Sequence, residues 1–345
     1  MLRRDFLAAS AVIGTGALAG RIGGSDVLAA RQGAPAVLAR RPIRILMGGY
    51  SPSDTGFSQA LKRVGDRVTK AMGRDVEVKY VYNILDLGYR AEDILWLVES
   101  GVLTLGYQSS SYMTDRVPDV GAADLPFIFS ETTAARAAMD GRFGQLLTER
   151  IEGGMDYRIL GYFENGFRHI SNKVRTIRTP SDLKGISIRV LPSKILASTF
   201  ELFGASPKIM DLTEALVGVK AGTLDAQENP FFNTVTYGIH NFHKFHTASN
   251  HVYLSRPIFI HRPTFDAWPG ALRDEMRAAI ADAVAFQREL HIKEEVDAAA
   301  AIRKAGGEIV DLTPAQHKAF VDAVTPIFGE ARQQYGRDLL GLLNL

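Results

Sequence analysis

Cysteine is missing from all 345 residues, which excludes disulfide frameworks, thiolate metal sites, cysteine nucleophiles and lipid attachment through a Cys. Net charge is almost missing too. Forty Lys plus Arg stand against 38 Asp plus Glu, a formal +2, so nothing draws the chain diffusely toward nucleic acid. There is no Gly-x-Ser-x-Gly elbow, and Ser109-Ser110-Ser111 has no neighbouring base. Gly48-Gly49-Tyr50-Ser51-Pro52 follows a strand candidate without the Gly-Lys-Ser/Thr or Gly-x-Gly-x-x-Gly pattern a nucleotide site needs. What is present is an ordinary globular composition, 46% hydrophobic and 23% charged. At about 100 to 200 residues per domain the length predicts two domains.

Residues 1–39 read as an address. Arg3 and Arg4 precede Asp5, Phe6 and Leu7, and a Gly- and Ala-rich apolar stretch runs from Ala8 to Gly20. That stretch falls short of the roughly 20 residues of a membrane-spanning helix. A cleaved signal is therefore expected rather than an anchor, and the paired arginines followed by Phe-Leu resemble a twin-arginine export signal. The alternatives are an ordinary secretory signal that carries two arginines and a disordered leader. Val37-Leu38-Ala39 and Val27-Leu28-Ala29 both offer cleavage sites. Removing residues 1–39 takes away Arg3, Arg4, Arg21 and Arg31 with Asp5 and Asp26, leaving 36 charges of each sign. The expected location is the periplasm.

Strand candidates at Arg44–Gly48 and Val76–Tyr80 flank a segment in which Phe57, Leu61, Val64 and Val68 recur at helical spacing. A strand-helix-strand unit implies a parallel sheet. Helices at 91–100 and 132–150 and strands at 104–107 and 158–163 extend an α/β lobe over residues 40–165. A second α/β series occupies 166–253, with strands near 186–190 and 207–210 and helices near 193–203 and 213–221. Residues 254–345 are read as a return strand, a long helix and carboxy-terminal helices that complete both lobes. From Pro269 to Lys304 no Pro or Gly interrupts after Gly270, and Leu272, Met276, Ile280, Val284 and Leu290 form an apolar stripe. At ~1.5 Å per residue that helix would extend about 54 Å, too long for one small lobe, so it is expected to span both.

Three clusters carry chemistry. In Asp182-Leu183-Lys184-Gly185-Ile186-Ser187-Ile188-Arg189-Val190 a guanidinium sits within or at the end of an apolar strand. A buried Arg needs a partner: a ligand carboxylate that fits its fork, or an internal Asp or Glu. Asp225-Ala226-Gln227-Glu228-Asn229-Pro230-Phe231-Phe232-Asn233 mixes amides, carboxylates and rings. Gln227 and Asn229 suit a polar ligand while Phe231 and Phe232 suit its carbon skeleton, although a turn with a buried amide reads equally well. Asn165-Gly166-Phe167-Arg168-His169 adds Arg168, a second guanidinium at the start of the second lobe, for which a solvated surface position is the other reading. His240, His243, His246 and His251 alternate with Phe242 and Phe245 and lack a zinc-hydrolase spacing, so neither metal nor cofactor is expected.

These residues resemble the solute-binding proteins of tripartite ATP-independent periplasmic (TRAP) transporters, of the dicarboxylate-binding type. The markers are Asp124-Leu125-Pro126-Phe127-Ile128-Phe129, the strand ending Ile188-Arg189-Val190, the run Gly222-Thr223-Leu224-Asp225-Ala226-Gln227-Glu228-Asn229-Pro230, and Trp268-Pro269 before the long helix. The resemblance implies a two-lobed α/β binding protein of the periplasmic type, closing on a ligand around a hinge with the long helix behind both lobes. It implies that Arg189 pairs with a ligand carboxylate, that Asn229 joins it and that Arg168 is a second basic group of the cleft. Leu212 stands where many members place an aromatic ring, and Pro192 where some sugar-acid binders use Asn, which favours a smaller carboxylate with an apolar portion. Strand ends at the expected cleft edge add Ser51, Ser53, Asp86, Gln108 and Ser109 as closing groups. The implied partners are a small organic acid, the TRAP permease subunits in the membrane and the export machinery. A periplasmic hydrolase or lyase with its site in the interlobe cleft, and a ligand-sensing receptor subunit, are the competing readings.

Overall fold

The computed structural model describes residues 41–345; the export signal expected at residues 1–39 lies outside them. The chain runs β1 (Ile43–Gly48), α1 (Gly56–Met72), β2 (Val76–Val81), α2 (Asp93–Glu99), β3 (Leu105–Tyr107), α3 (Thr132–Asp140), α4 (Arg142–Gly154) and β4 (Tyr157–Phe167). It continues through β5 (His169–Asn172), β6 (Ser187–Val190), α5 (Lys194–Leu202), β7 (Ser206–Ile209), α6 (Leu212–Lys220), β8 (Ala226–Asn229) and α7 (Phe231–Thr236). Then come β9 (Phe245–Ala248), β10 (Tyr253–His261), α8 (Arg262–Asp266), α9 (Gly270–Lys304), β11 (Glu308–Asp311), α10 (Pro314–Ala323), α11 (Thr325–Gln334) and α12 (Arg337–Leu340).

Two mixed sheets result, ordered β2-β1-β3-β10-β4 and β11-β9-β5-β8-β6-β7. The two-lobed α/β class expected from the sequence is the one observed. In the first lobe β1 pairs in parallel with β2 across α1. Thr55 caps α1 by accepting from the Ser58 N–H, and the stripe Phe57, Leu61, Val64 and Val68 is buried. Burying each such side chain contributes ~1.5–3 kcal/mol. Gly65 lets α1 lie close on β2, since a Cβ there would stand 1.9 Å from the Tyr80 hydroxyl.

The helix expected over 132–150 is two helices. Gly141 between them is extended, at φ −93° and ψ −155°, and caps α3 through its N–H to the Ala138 carbonyl. An apolar pattern that continues across a single glycine does not reveal such a break.

Three connections between the two sheets link the lobes. β4 of the first sheet leads through Arg168 directly into β5 of the second, and β9 of the second leads through residues 249–252 into β10 of the first. The Arg168 N–H bonds the Val252 carbonyl at 2.9 Å, so the two crossings are tied to each other. The third connection is α9, whose 35 residues extend about 52 Å. It packs on α1 and β4 of the first lobe and on α7 and β11 of the second. Its Gln287 is fully buried and holds both the N–H and the C=O of Glu164 at 2.9 Å. No described helix is long and apolar enough to cross a membrane.

Candidate functional site

Strand ends from both sheets converge on a small cavity of about 20 Å³ between the lobes. β6 supplies Arg189, the end of β8 supplies Asn229, and the β4–β5 crossing supplies Asn165 and Arg168. The first sheet contributes Tyr50 after β1, Ser109 and Tyr112 after β3, and Arg256 from β10. Leu191, Leu212 and Tyr237 complete the wall. Three guanidinium groups line this space, and none of the lining residues carries a carboxyl or an imidazole.

Arg189 is 2% exposed. Its Nε donates to the Met210 carbonyl at 3.1 Å and its Nη2 to the Tyr112 hydroxyl at 3.2 Å. The internal ion pair that the sequence left open is absent: no Asp or Glu among the described residues forms a salt bridge with it. Tyr112 Oη also accepts from the Leu212 N–H at 3.1 Å, which fixes Leu212 against the cavity. Burial raises the Tyr112 hydroxyl pKa, so it stays protonated.

Behind this wall runs a chain of amides. Gln227 donates to Ser171 Oγ at 2.6 Å and Thr234 Oγ1 at 3.2 Å and accepts from Asn229 Nδ2 at 2.5 Å. Asn233 Nδ2 contacts Asn229 Oδ1 at 3.4 Å and Asn165 Oδ1 at 3.0 Å. Gln227 thus orients Asn229 without itself lining the cavity. These mutual bonds fix the orientations of the Gln227, Asn229 and Asn233 amides.

Arg168 is fully buried and pairs with Glu228, whose Oε1 accepts from Nη2 at 2.9 Å. Burial pushes the Glu228 carboxyl up, but Arg168 and His251 outweigh it and hold it at about 2. Arg168 therefore brings a neutralised charge to the cavity wall. Nearby Asp124, bonded to Ser111 at 2.8 Å, is pushed by burial up to about 7. The histidines are structural: burial drives His169, His243 and His291 down to about 3 and His246 to about 4. Among the described residues no group of three or more His, Cys, Asp or Glu is placed to hold a metal.

Arg256 had no place in the sequence reading. It is 2% exposed, with its guanidinium 4.1 Å from the Phe57 ring centroid, 4.8 Å from Tyr50 and 5.8 Å from Tyr107. Cation–π contact of this kind is worth ~0.5–2 kcal/mol. Its Nη2 reaches Asn233 Oδ1 at 3.4 Å, while Nε and Nη1 have no hydrogen-bond partner. The signal that could have found it is the one that marked Arg189: a guanidinium inside an apolar strand, here Tyr253-Leu254-Ser255-Arg256-Pro257-Ile258.

Of the expected site residues, Arg189, Asn229, Arg168, Leu212 and Ser109 line the cavity. Others are corrected. Asp86 is exposed on the surface and bonds Asn83. Ser53 is exposed as well, whereas Ser51 is buried against α1, its carbonyl accepting from Ser58 Oγ at 3.2 Å. Gln108 is buried beneath the wall, donating to the Ala91 carbonyl at 2.6 Å and accepting from the Ser109 N–H. Phe231 and Phe232 open α7 and turn into the packing behind it: Phe231 stacks on His169 at 4.1 Å, and Phe232 meets Phe57 and His291. They pack on the core because Pro230 turns the chain into α7 just past Asn229.

The cavity mouth is fastened by contacts between lobes. The Asp211 carboxylate caps α6 through the Thr213 N–H at 2.7 Å and also accepts from the N–H groups of Ala91 at 3.3 Å and Glu92 at 3.0 Å, just before α2. Arg90 pairs with Glu214 at 2.8 Å beside it.

This geometry has counterparts. The family described as bacterial extracellular solute-binding protein, family 7, matches residues 47–334. The chain is 28% identical over 277 residues to the 2,3-diketo-L-gulonate-binding periplasmic protein YiaO of Escherichia coli, covering 80% of this chain and 83% of that one. The sugar acid binding protein of Advenella mimigardefordensis, solved with galactonate, superimposes with a TM-score of 0.83 at 26% identity over 88% of this chain and 97% of that one. A TRAP periplasmic solute-binding protein of Sulfurospirillum deleyianum, solved with succinate, gives 0.82 at 25% identity over 88% and 98%. With its two lobes joined by strand crossings and a common long helix, and with a cavity between them, the chain belongs to the family 7 extracellular solute-binding proteins, the solute-capturing subunits of TRAP transporters.

Proposed function

We propose that this protein is exported by its amino-terminal signal, captures a small organic carboxylate between its lobes in the periplasm and delivers it to a TRAP permease in the membrane. The observation that carries this reading is Arg189: a buried guanidinium on the cavity wall that bonds only a carbonyl and a hydroxyl and has no internal carboxylate. A ligand carboxylate supplies the missing anion through charge-assisted hydrogen bonds. Asn229 is held beside it by Gln227, and Leu212 offers an apolar surface to the carbon chain.

Closure follows from the interlobe contacts. Ligand bound on the second lobe's Arg189 draws in first-lobe groups such as Ser109, and the Asp211 and Arg90 contacts form as the mouth shuts. The ligand shifts this equilibrium by its greater affinity for the closed arrangement.

A thermal-shift screen of organic acids, amino acids and sugar acids tests the proposal, because a ligand bound only to the folded state raises the unfolding temperature with its concentration. At least one carboxylate is expected to stabilise the protein in a dose-dependent way. Stabilisation by no carboxylate would overturn the reading.

A further inference from the structure

One buried acid beside the cavity has no cation of its own. Asp124 and Ser111 are both fully buried, and Ser111 Oγ donates to Asp124 Oδ1 at 2.8 Å. Asp124 Oδ2 has no hydrogen-bond partner, and the residue forms no ion pair among the described residues. The charged and titratable groups that face it are Arg168 at the β4–β5 crossing, Glu228 on β8 with its partner His251, and Tyr335 after α11. Arg168 is already engaged by Glu228. An ionised carboxylate in this position is costly, and the neutral acid costs far less. Burial accordingly pushes the Asp124 carboxyl up to about 7.

Its place joins the two walls of the cavity. The turn Ser110–Met113 of the first lobe holds Asp124 through Ser111 and Arg189 through Tyr112, whose hydroxyl accepts from Nη2 at 3.2 Å. From the second lobe comes Ser193, the cap of α5 four residues after Arg189, which sits against the Asp124 carboxyl. Thr114 Oγ1 donates to the Pro192 carbonyl at 3.0 Å and fastens the same junction. Capture therefore changes the surroundings of Asp124 in two ways. Closing of the lobes takes water from its carboxyl, and an arriving anion cancels the positive charge of Arg189. Both favour the neutral acid.

We infer that capture is linked to a proton: Asp124 takes one up as the lobes close on an anion and gives it back as they part. The inference rests on the carboxylate-capture reading and adds the proton as a co-ligand, whichever acid is bound. With the lobes apart, a hydrated Asp titrates near about 4; in the closed arrangement the value is about 7. A group whose closed-state value is the higher one strengthens binding as pH falls through that value. At pH 7 about half of the closed molecules hold the proton and almost none of the open ones do, so uptake is about 0.5 proton per ligand. Affinity should rise about fourfold from pH 8 to pH 6.5.

Calorimetric titration of the full mature protein at pH 7, in two buffers of different ionisation enthalpy, measures the uptake, because the difference in heat gives the protons taken from the buffer. The probes are lactate, gluconate, malate and tartrate, acids that stay ionised above about pH 6.5. With a probe that binds, the wild-type protein is expected to take up about 0.5 proton and to bind about fourfold more tightly at pH 6.5 than at pH 8. Asp124→Asn keeps the size and the acceptor for Ser111 but cannot titrate, so its uptake should fall below about 0.1 proton and its pH dependence should vanish. Binding by the wild-type protein with no uptake, or with release, would overturn the inference while leaving carboxylate capture intact. An uptake that survives in Asp124→Asn would overturn it as well. If no carboxylate binds at all, it is the capture reading that fails, and the inference falls with it. The wild-type measurement needs no variant, so a poorly folding Asp124→Asn does not prevent a decision.

Discussion

Asp211→Ala separates closure from ligand contact. Asp211 is buried and does not line the cavity, yet its carboxylate accepts two N–H groups from the opposite lobe, those of Ala91 and Glu92. Each hydrogen bond to a charged acceptor contributes ~1.5 kcal/mol net, so the two favour the closed arrangement by about 3 kcal/mol. At 1.4 kcal/mol per tenfold that is roughly 100-fold in the closed-to-open ratio. Apparent affinity falls in proportion to the loss of the closed population, so ligand binding should weaken by up to roughly 100-fold without any ligand contact being removed. The cap on α6, through Thr213, is lost in addition and lowers global stability by ~1 kcal/mol. Calorimetry would measure the affinity, and fluorescence energy transfer between dyes on the two lobes would measure closure. Saturating ligand should restore the closed distribution in the variant. Affinity within twofold of wild type, together with an unchanged lobe-separation distribution, would refute this account of the mouth.

Two further outcomes concern the frame. Gln287→Leu leaves the Glu164 N–H and C=O buried without partners and should lower stability by ~2–5 kcal/mol in urea denaturation; a loss under about 0.5 kcal/mol would show that α9 does not grip β4 this way. The second concerns acid. His169, His243, His291 and His246 have folded pKa values of about 3 to 4, depressed below the unfolded value, so their stability contribution is present above about pH 6.5 and is lost as pH falls toward those values. Asp124 and Glu295, raised by burial to about 7, act oppositely and favour folding as pH falls below 7. Between about pH 6 and 4.5 the unfolded chain holds about four protons on these six groups where the folded one holds two, so these groups by themselves make stability drop by roughly 3 kcal/mol per pH unit. Chemical denaturation at several pH values would show it; a flat profile over that window contradicts buried neutral histidines.

Periodicity made much of the frame legible. The α1 stripe and the uninterrupted run into α9 depend on local spacing, and the length of α9 alone required it to span both lobes. The split at Gly141 was hidden because the apolar pattern continues past a single extended residue. Arg189 was visible as a charge in an apolar strand, but its partner was not, since whether an Asp or Glu lies opposite depends on β6 packing beside β8 and facing Tyr112. Arg168 shows the same limit from the other side: only the pairing of β5 with β8 brings Glu228 to it. Phe231 and Phe232 misled because sequence proximity to Asn229 does not say which way α7 turns. Arg256 carried the same mark as Arg189, and the rings that cover it come from residues 50, 57 and 107, a neighbourhood that no linear motif contains.

The central claim is that Arg189 anchors a ligand carboxylate. Its most direct test is calorimetry of wild-type and Arg189→Gln protein with the carboxylate that stabilises the wild-type protein most strongly. Removing one member of a buried, hydrogen-bonded charge pair costs ~2–5 kcal/mol, so the variant should bind at least ~30-fold more weakly while retaining a cooperative thermal transition. Unchanged affinity in a folded Arg189→Gln protein would contradict the account.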